Sequence, residues 1–144
     1  MEFKKSSASE KVIQFVILSG CVGAIIIGRM LMPSPSGIGT HTLLGFPPCG
    51  FYKITGIPCP TCGVTTSFVL AAHLKFKESI LTQPVGFFVF ILVFLCAVAA
   101  AIFFLAGKSL FNLNLKVSGY KIAIAIIIFV LISWIYKIFI CLKR

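Results

Sequence analysis

Val85–Ala106 reads VGFFVFILVFLCAVAAAIFFLA, 22 residues without a charge. At about 1.5 Å per residue, a helix of that length crosses the roughly 30 Å hydrocarbon layer of a bilayer. Two more stretches share this character. Val12–Met32 carries Arg29 near its end, and Ile122–Leu142 is broken only by Lys137 in its last turns. Trp134 and Tyr136 beside that lysine read as an interfacial belt, with the lysine stem snorkelling to the headgroups. The expected fold is all-α: one integral membrane domain over 1–144 with spans near 12–32, 85–106 and 122–142.

Composition supports lipid as the solvent. Of 144 residues, 59% are hydrophobic and 11% charged, against about 25% charged in a soluble domain. The mean hydropathy is +1.10. The net charge of +10 sets 13 Lys/Arg against Glu2, Glu10 and Glu78. These cations flank the apolar segments singly or in pairs, which suits anionic lipid headgroups and gives no nucleic-acid pattern. No acid lies inside a candidate span, so proton relays and most coupled transporters, which need intramembrane ionisable groups, are poor readings. Carboxylate or Ser-His-Asp hydrolysis lacks its acids as well, and no phosphate loop, HExxH or GxSxG motif is present.

The first span has the charged start of a signal peptide (Lys4, Lys5, Lys11), but its apolar run is too long and no small-x-small site follows, so it is expected to stay uncleaved. Gly20, Ala24 and Gly28 recur at four-residue spacing, a packing face for a membrane helix. Positive charge does not choose an orientation. Six cations (4, 5, 11, 108, 116, 121) fall on one side and seven (29, 53, 75, 77, 137, 143, 144) on the other. A four-span variant using 54–74 balances this better, but it places two prolines and several threonines in the membrane.

The connection 33–84 differs in character. Six of the seven prolines lie between Pro33 and Pro60, interleaved with Gly37, Gly39, Gly45, Gly50 and Gly56. That density breaks both helix and strand, so the first half is expected to be irregular. From Gly63 to Leu74 the pattern is helical but too short to span, which predicts a re-entrant or interfacial helix. Pro84 opens the second span in its first turn, where proline is tolerated.

Within this connection Cys59-Pro60-Thr61-Cys62-Gly63 concentrates the chemistry. Two thiolates at this spacing, with a glycine for the tight turn, make a zinc-knuckle half-site. Cys49 is the natural third ligand and His73 or His41 the fourth. The same atoms also suit a thiol–disulfide couple, because a Cys-x-x-Cys at a helix start has its thiolate stabilised by free N–H groups and the helix dipole. A structural disulfide is the third reading. Cys21 and Cys96, inside spans, read as packing residues. Cys141, beside Lys143 and Arg144, sits where palmitoylation occurs.

Cys59-Pro60-Thr61-Cys62-Gly63-Val64-Thr65, then His73, then Gln83-Pro84, resembles DUF2752, a family of small bacterial integral membrane proteins of uncharacterised function. The similarity covers roughly 46–95 and includes Cys49 as the family's leading cysteine. It implies a few membrane helices, a bacterial inner-membrane location and His73 as a ligand, and it implies no reaction. Thr66 stands where the family carries arginine; an anion contact made there is lost in this chain or moved to Lys75 or Lys77. The preferred reading is a non-catalytic membrane module. Its loop, organised by Cys49, Cys59, Cys62 and His73 around a metal such as zinc, faces a partner protein, a second copy or lipid. The alternative is a membrane thiol–disulfide oxidoreductase using Cys59 and Cys62.

Overall fold

The computed structural model describes residues 7–108 and 119–142, which are helical with no strand among them. Three helices have the length and apolarity to cross a membrane: α1 (Ala8–Met30), α5 (Pro84–Leu105) and α6 (Gly119–Leu142). Between α1 and α5 lie a 3₁₀ turn (Thr40–Leu44) and three short helices, α2 (Gly50–Thr55), α3 (Val64–Ala72) and α4 (Phe76–Thr82). The cations at 4, 5, 116, 143 and 144, used in the charge count, lie outside the described residues.

The spans begin and end where the chain chemistry dictates. α1 starts earlier than its apolar run because the Glu10 carboxylate accepts the Ser7 backbone N–H at 2.8 Å, satisfying one donor of the first turn. Pro84 at the first position of α5 forces the preceding Gln83 into extended backbone (φ −165°), which terminates α4. The connection is less irregular than its composition predicts. Glycine and proline confine its first helical pieces to five or six residues rather than abolishing them, and Gly45 and Gly56 close those pieces with left-handed backbone.

α3 is the centre of the molecule. At nine residues it rises only about 13 Å, which rules out the four-span variant. It nonetheless packs against α1, α4 and α5, burying Thr66, Ser67, Val69, Leu70, Ala71 and Ala72. Ala71, Ala72 and Phe90 form the core, with Ile25, Phe68, Phe87 and Ile91 around them. Lipid supplies little hydrophobic drive between helices, so close packing and hydrogen bonds must hold them. Both occur here. Gly86 of α5 lies so near α3 that a Cβ there would collide with the Val64 carbonyl oxygen and the Ser67 side chain. Ser67 Oγ lies 2.7 Å from Gln83 O and 2.9 Å from both Ser79 O and Ser79 Oγ, while Ser79 Oγ donates to Ser67 O at 2.7 Å. α3, α4 and the start of α5 are therefore one polar-bonded unit.

On α1 the small-residue face is used in part. Gly28 abuts Phe68 and Ala72, but a Cβ at Gly20 would meet nothing within 4 Å. Lower down, the Cys21 thiol meets Cys96 of α5, so these two are helix–helix packing neighbours. Gln14 Nε2 donates to Lys108 O at 3.0 Å.

α3 ends in a two-bond helix stop: Lys75 N donates to Leu70 O (3.0 Å) and Leu74 N to Ala71 O (2.9 Å). That motif wants glycine at the left-handed position, yet Leu74 occupies it at φ 62° with its side chain exposed. Leu74→Gly is expected to stabilise the fold by about 1 kcal/mol, because glycine removes the Cβ–carbonyl crowding. A higher melting temperature in detergent would show this, and an unchanged or lower one would refute it.

Candidate metal centre

The cysteine turn is built by local rules and then clamped from a distance. Cys62 N donates to Cys59 O at 2.9 Å, folding the four residues back on themselves. Gly63 follows at φ 91°, and any Cβ there would lie 2.8 Å from Gly37 O and 3.0 Å from Lys137 Nζ. Glycine is thus required twice, for its backbone angle and for space. α3 begins at once, with Ser67 N donating to Gly63 O at 2.8 Å. Cys49 caps the N-terminal end of α2.

The folded loop brings the three sulfurs of Cys49, Cys59 and Cys62 within 4.8 Å of one another. Cys59 and Cys62 Sγ are 3.1 Å apart, and all six cysteines are free thiols. Tetrahedral zinc with bonds near 2.3 Å holds its sulfurs about 3.8 Å apart. The cluster reaches that geometry with small side-chain movements, so it can hold a metal ion.

Electrostatics splits the pair. Burial acts to raise the Cys59 thiol, but hydrogen bonds to Thr61, Cys62 and Cys49 outweigh it and lower the group to about 7. Burial, then the hydrogen bond to Cys59, pushes Cys62 up to about 12. The thiolate is the nucleophile. In metal-free protein, alkylation of Cys59 should therefore rise with pH around a midpoint near 7, against about 8.5 for an ordinary thiol. Cys62 should stay unmodified through the neutral range. Mass spectrometry after a pH series would show it, and equal labelling of both would contradict it.

His73 is not in the cluster. It closes the C-terminal end of α3, whereas Cys62 lies just before its start, so about 13 Å of helix stands between them. Its Nε2 instead pairs with Leu31 O at 3.0 Å, and Arg29 Nη1 reaches Ala72 O at 3.4 Å. His73 thus ties the end of α1 to the end of α3. His41 lies on the 3₁₀ turn, beside a cavity that Cys49 also lines.

The clamps come largely from α6. Trp134 Nε1 donates to Pro58 O at 2.7 Å, and Lys137 Nζ donates to Gly37 O (3.1 Å) and Thr82 O (3.0 Å). Gln83 Nε2 adds a bond to Pro60 O at 3.1 Å. Lys137 is only 2% exposed, so it does not snorkel. The Trp134–Lys137 group, read from sequence as an interfacial belt, faces inward and holds the loop. The one cation inside the 122–142 stretch was the available signal, since an ionisable group there marks a polar task by default. At the family's arginine position, Thr66 is fully buried, 2.8 Å from Thr40 Oγ1. That bond ties α3 to the 3₁₀ turn.

Three apolar helices, two of them packed against a short buried one with a thiol triad at its head, define a small helical membrane protein. Residues 49–106 match the family described as "Protein of unknown function (DUF2752)". The resemblance seen in the cysteine turn is therefore shown over a stretch that begins at Cys49 and runs through α5. No curated protein and no solved structure matches the chain.

Proposed function

We propose that the protein is a non-catalytic membrane module in which Cys49, Cys59 and Cys62 bind one soft divalent ion and thereby fix the loop as a docking surface. The convergence of three unbridged sulfurs from two separate loop pieces within 4.8 Å carries this reading. Thiolate donors favour zinc among common divalent ions. The cation excess suits a bilayer with anionic headgroups, and the family likeness suits a bacterial inner membrane. A partner protein, a second copy or headgroups themselves are the candidates for the docked surface. The test is metal analysis of purified protein: about one zinc per chain is expected, lost together with protease resistance of the loop in Cys59→Ser and Cys62→Ser. Metal-free protein with an ordered loop would reject the reading.

One observation favours a second reading, thiol–disulfide exchange: Cys59 is part-exposed, lowered to about 7, and 3.1 Å from Cys62. It requires a reversible Cys59–Cys62 disulfide with a potential within about −270 to −120 mV, the range of known catalytic couples.

A further inference from the structure

The triad supplies three donors, whereas a closed structural site for zinc takes four. Cys49 stands on the boundary. Besides belonging to the triad, it lines a cavity of about 370 Å³ together with His41 and Cys141. The two histidines differ in commitment. His73 is bonded to Leu31 O, but the His41 imidazole has no hydrogen-bond partner among the described residues and lies half-buried against this cavity. The turn that carries His41 begins after Gly39 (φ 90°) and ends at Gly45 (φ 82°), and a Cβ at either would touch nothing within 4 Å. Thr40 anchors the start of the turn through Thr66 Oγ1 and the Ser34 N–H, so reaching the triad falls to rotation of the His41 side chain.

We propose that His41 is the fourth ligand and closes a Cys49–Cys59–Cys62–His41 site. This rests on the metal-binding reading above and deepens it. A neutral imidazole is a good partner for three thiolates, because it completes the tetrahedron without adding charge to an already anionic set. Cys141 is the rival donor, but it lies near the end of α6, where Trp134 and Lys137 fix the backbone to the loop. Moving its sulfur to the triad pulls on that clamped helix; bringing in His41 turns one side chain. A site so closed joins three separate chain segments, at 41, 49 and 59–62.

The experiment loads full-length protein in detergent with Co(II), whose absorption reports the number and type of donors, then titrates Zn(II) against it. Wild-type protein should show a tetrahedral three-sulfur, one-nitrogen spectrum. His41→Ala should keep the ion but bind it at least about 100-fold more weakly, since losing a ligand costs no less than losing a group that supports one, with an altered spectrum that added imidazole restores. Cys141→Ser should leave spectrum and affinity unchanged. An unchanged His41→Ala spectrum, or a Cys141→Ser spectrum that changes instead, overturns the fourth-ligand assignment while cobalt loss in Cys59→Ser keeps the triad. Wild-type protein that takes up no cobalt sinks the metal reading and this proposal together.

Discussion

Gly86→Ala is expected to cost about 3–5 kcal/mol, the largest effect of a methyl added to any described glycine. Overpacking alone costs about 1–3 kcal/mol when neighbours can yield. Here one neighbour is the Val64 carbonyl oxygen, held in the first turn of α3, and the Ser67 Cβ would lie at 2.6 Å. Neither can retract into space. Relief requires α3 and α5 to separate, which also loosens the buried bonds that Ser67 makes to Ser79 and Gln83. Each buried polar group left unmatched adds about 1–3 kcal/mol. Against a total stability of about 5–15 kcal/mol, that is a large share. Gly20→Ala is the control, since its Cβ meets nothing and the better helix former should stabilise slightly. Melting temperatures in detergent would decide. Equal values for the two variants would show that α3 and α5 do not touch at Gly86.

Lys137→Met is the second large effect, and its sign needs argument. Methionine relieves the cost of holding an ammonium away from water, which can exceed the gain from its pairing. It also strips a donor from Gly37 O and Thr82 O in a part-buried site. Orphaning two carbonyls costs about 2–6 kcal/mol. The second effect should win, because the first is offset by the bonds the lysine already makes. Gly37 O also packs over Gly63, next to Cys62, so the loss reaches the thiol triad. Metal affinity should fall about 10–100-fold, the range for groups that position ligands. Trp134→Phe, which loses one bond to Pro58 O, should fall less. Unchanged zinc affinity in Lys137→Met would show that α6 does not shape the centre.

The three spans were legible because hydrocarbon thickness imposes a length that few other folds need. Their starts were less so: α1 begins at Ala8, set by Glu10 bonding back to Ser7, which hydropathy does not register. The triad was legible because the Cys-x-x-Cys spacing fixes two sulfurs locally, and Cys49 was the one remaining loop cysteine. His73 failed as a ligand for a reason present in the sequence. It and Cys62 were placed at opposite ends of one helix, and a rigid rod keeps its ends apart. The inward role of Trp134 and Lys137 was harder, because an aromatic–lysine group near a helix end satisfies the interfacial pattern equally well. What distinguishes the cases is that the loop offers carbonyls outside any helix, Pro58 O and Gly37 O, which need donors from elsewhere.

The clamp from α6 also sets an order of events. Pro58 and Gly37 are bonded by side chains 76 and 100 positions later in the chain. Contacts that distant form late, since their loop must close first. During synthesis, a nascent chain that has threaded only α1 and α5 owns every thiol of the centre but none of the donors from α6 that shape it. On the metal-binding reading proposed above, the triad therefore takes its final shape only once the last helix has inserted.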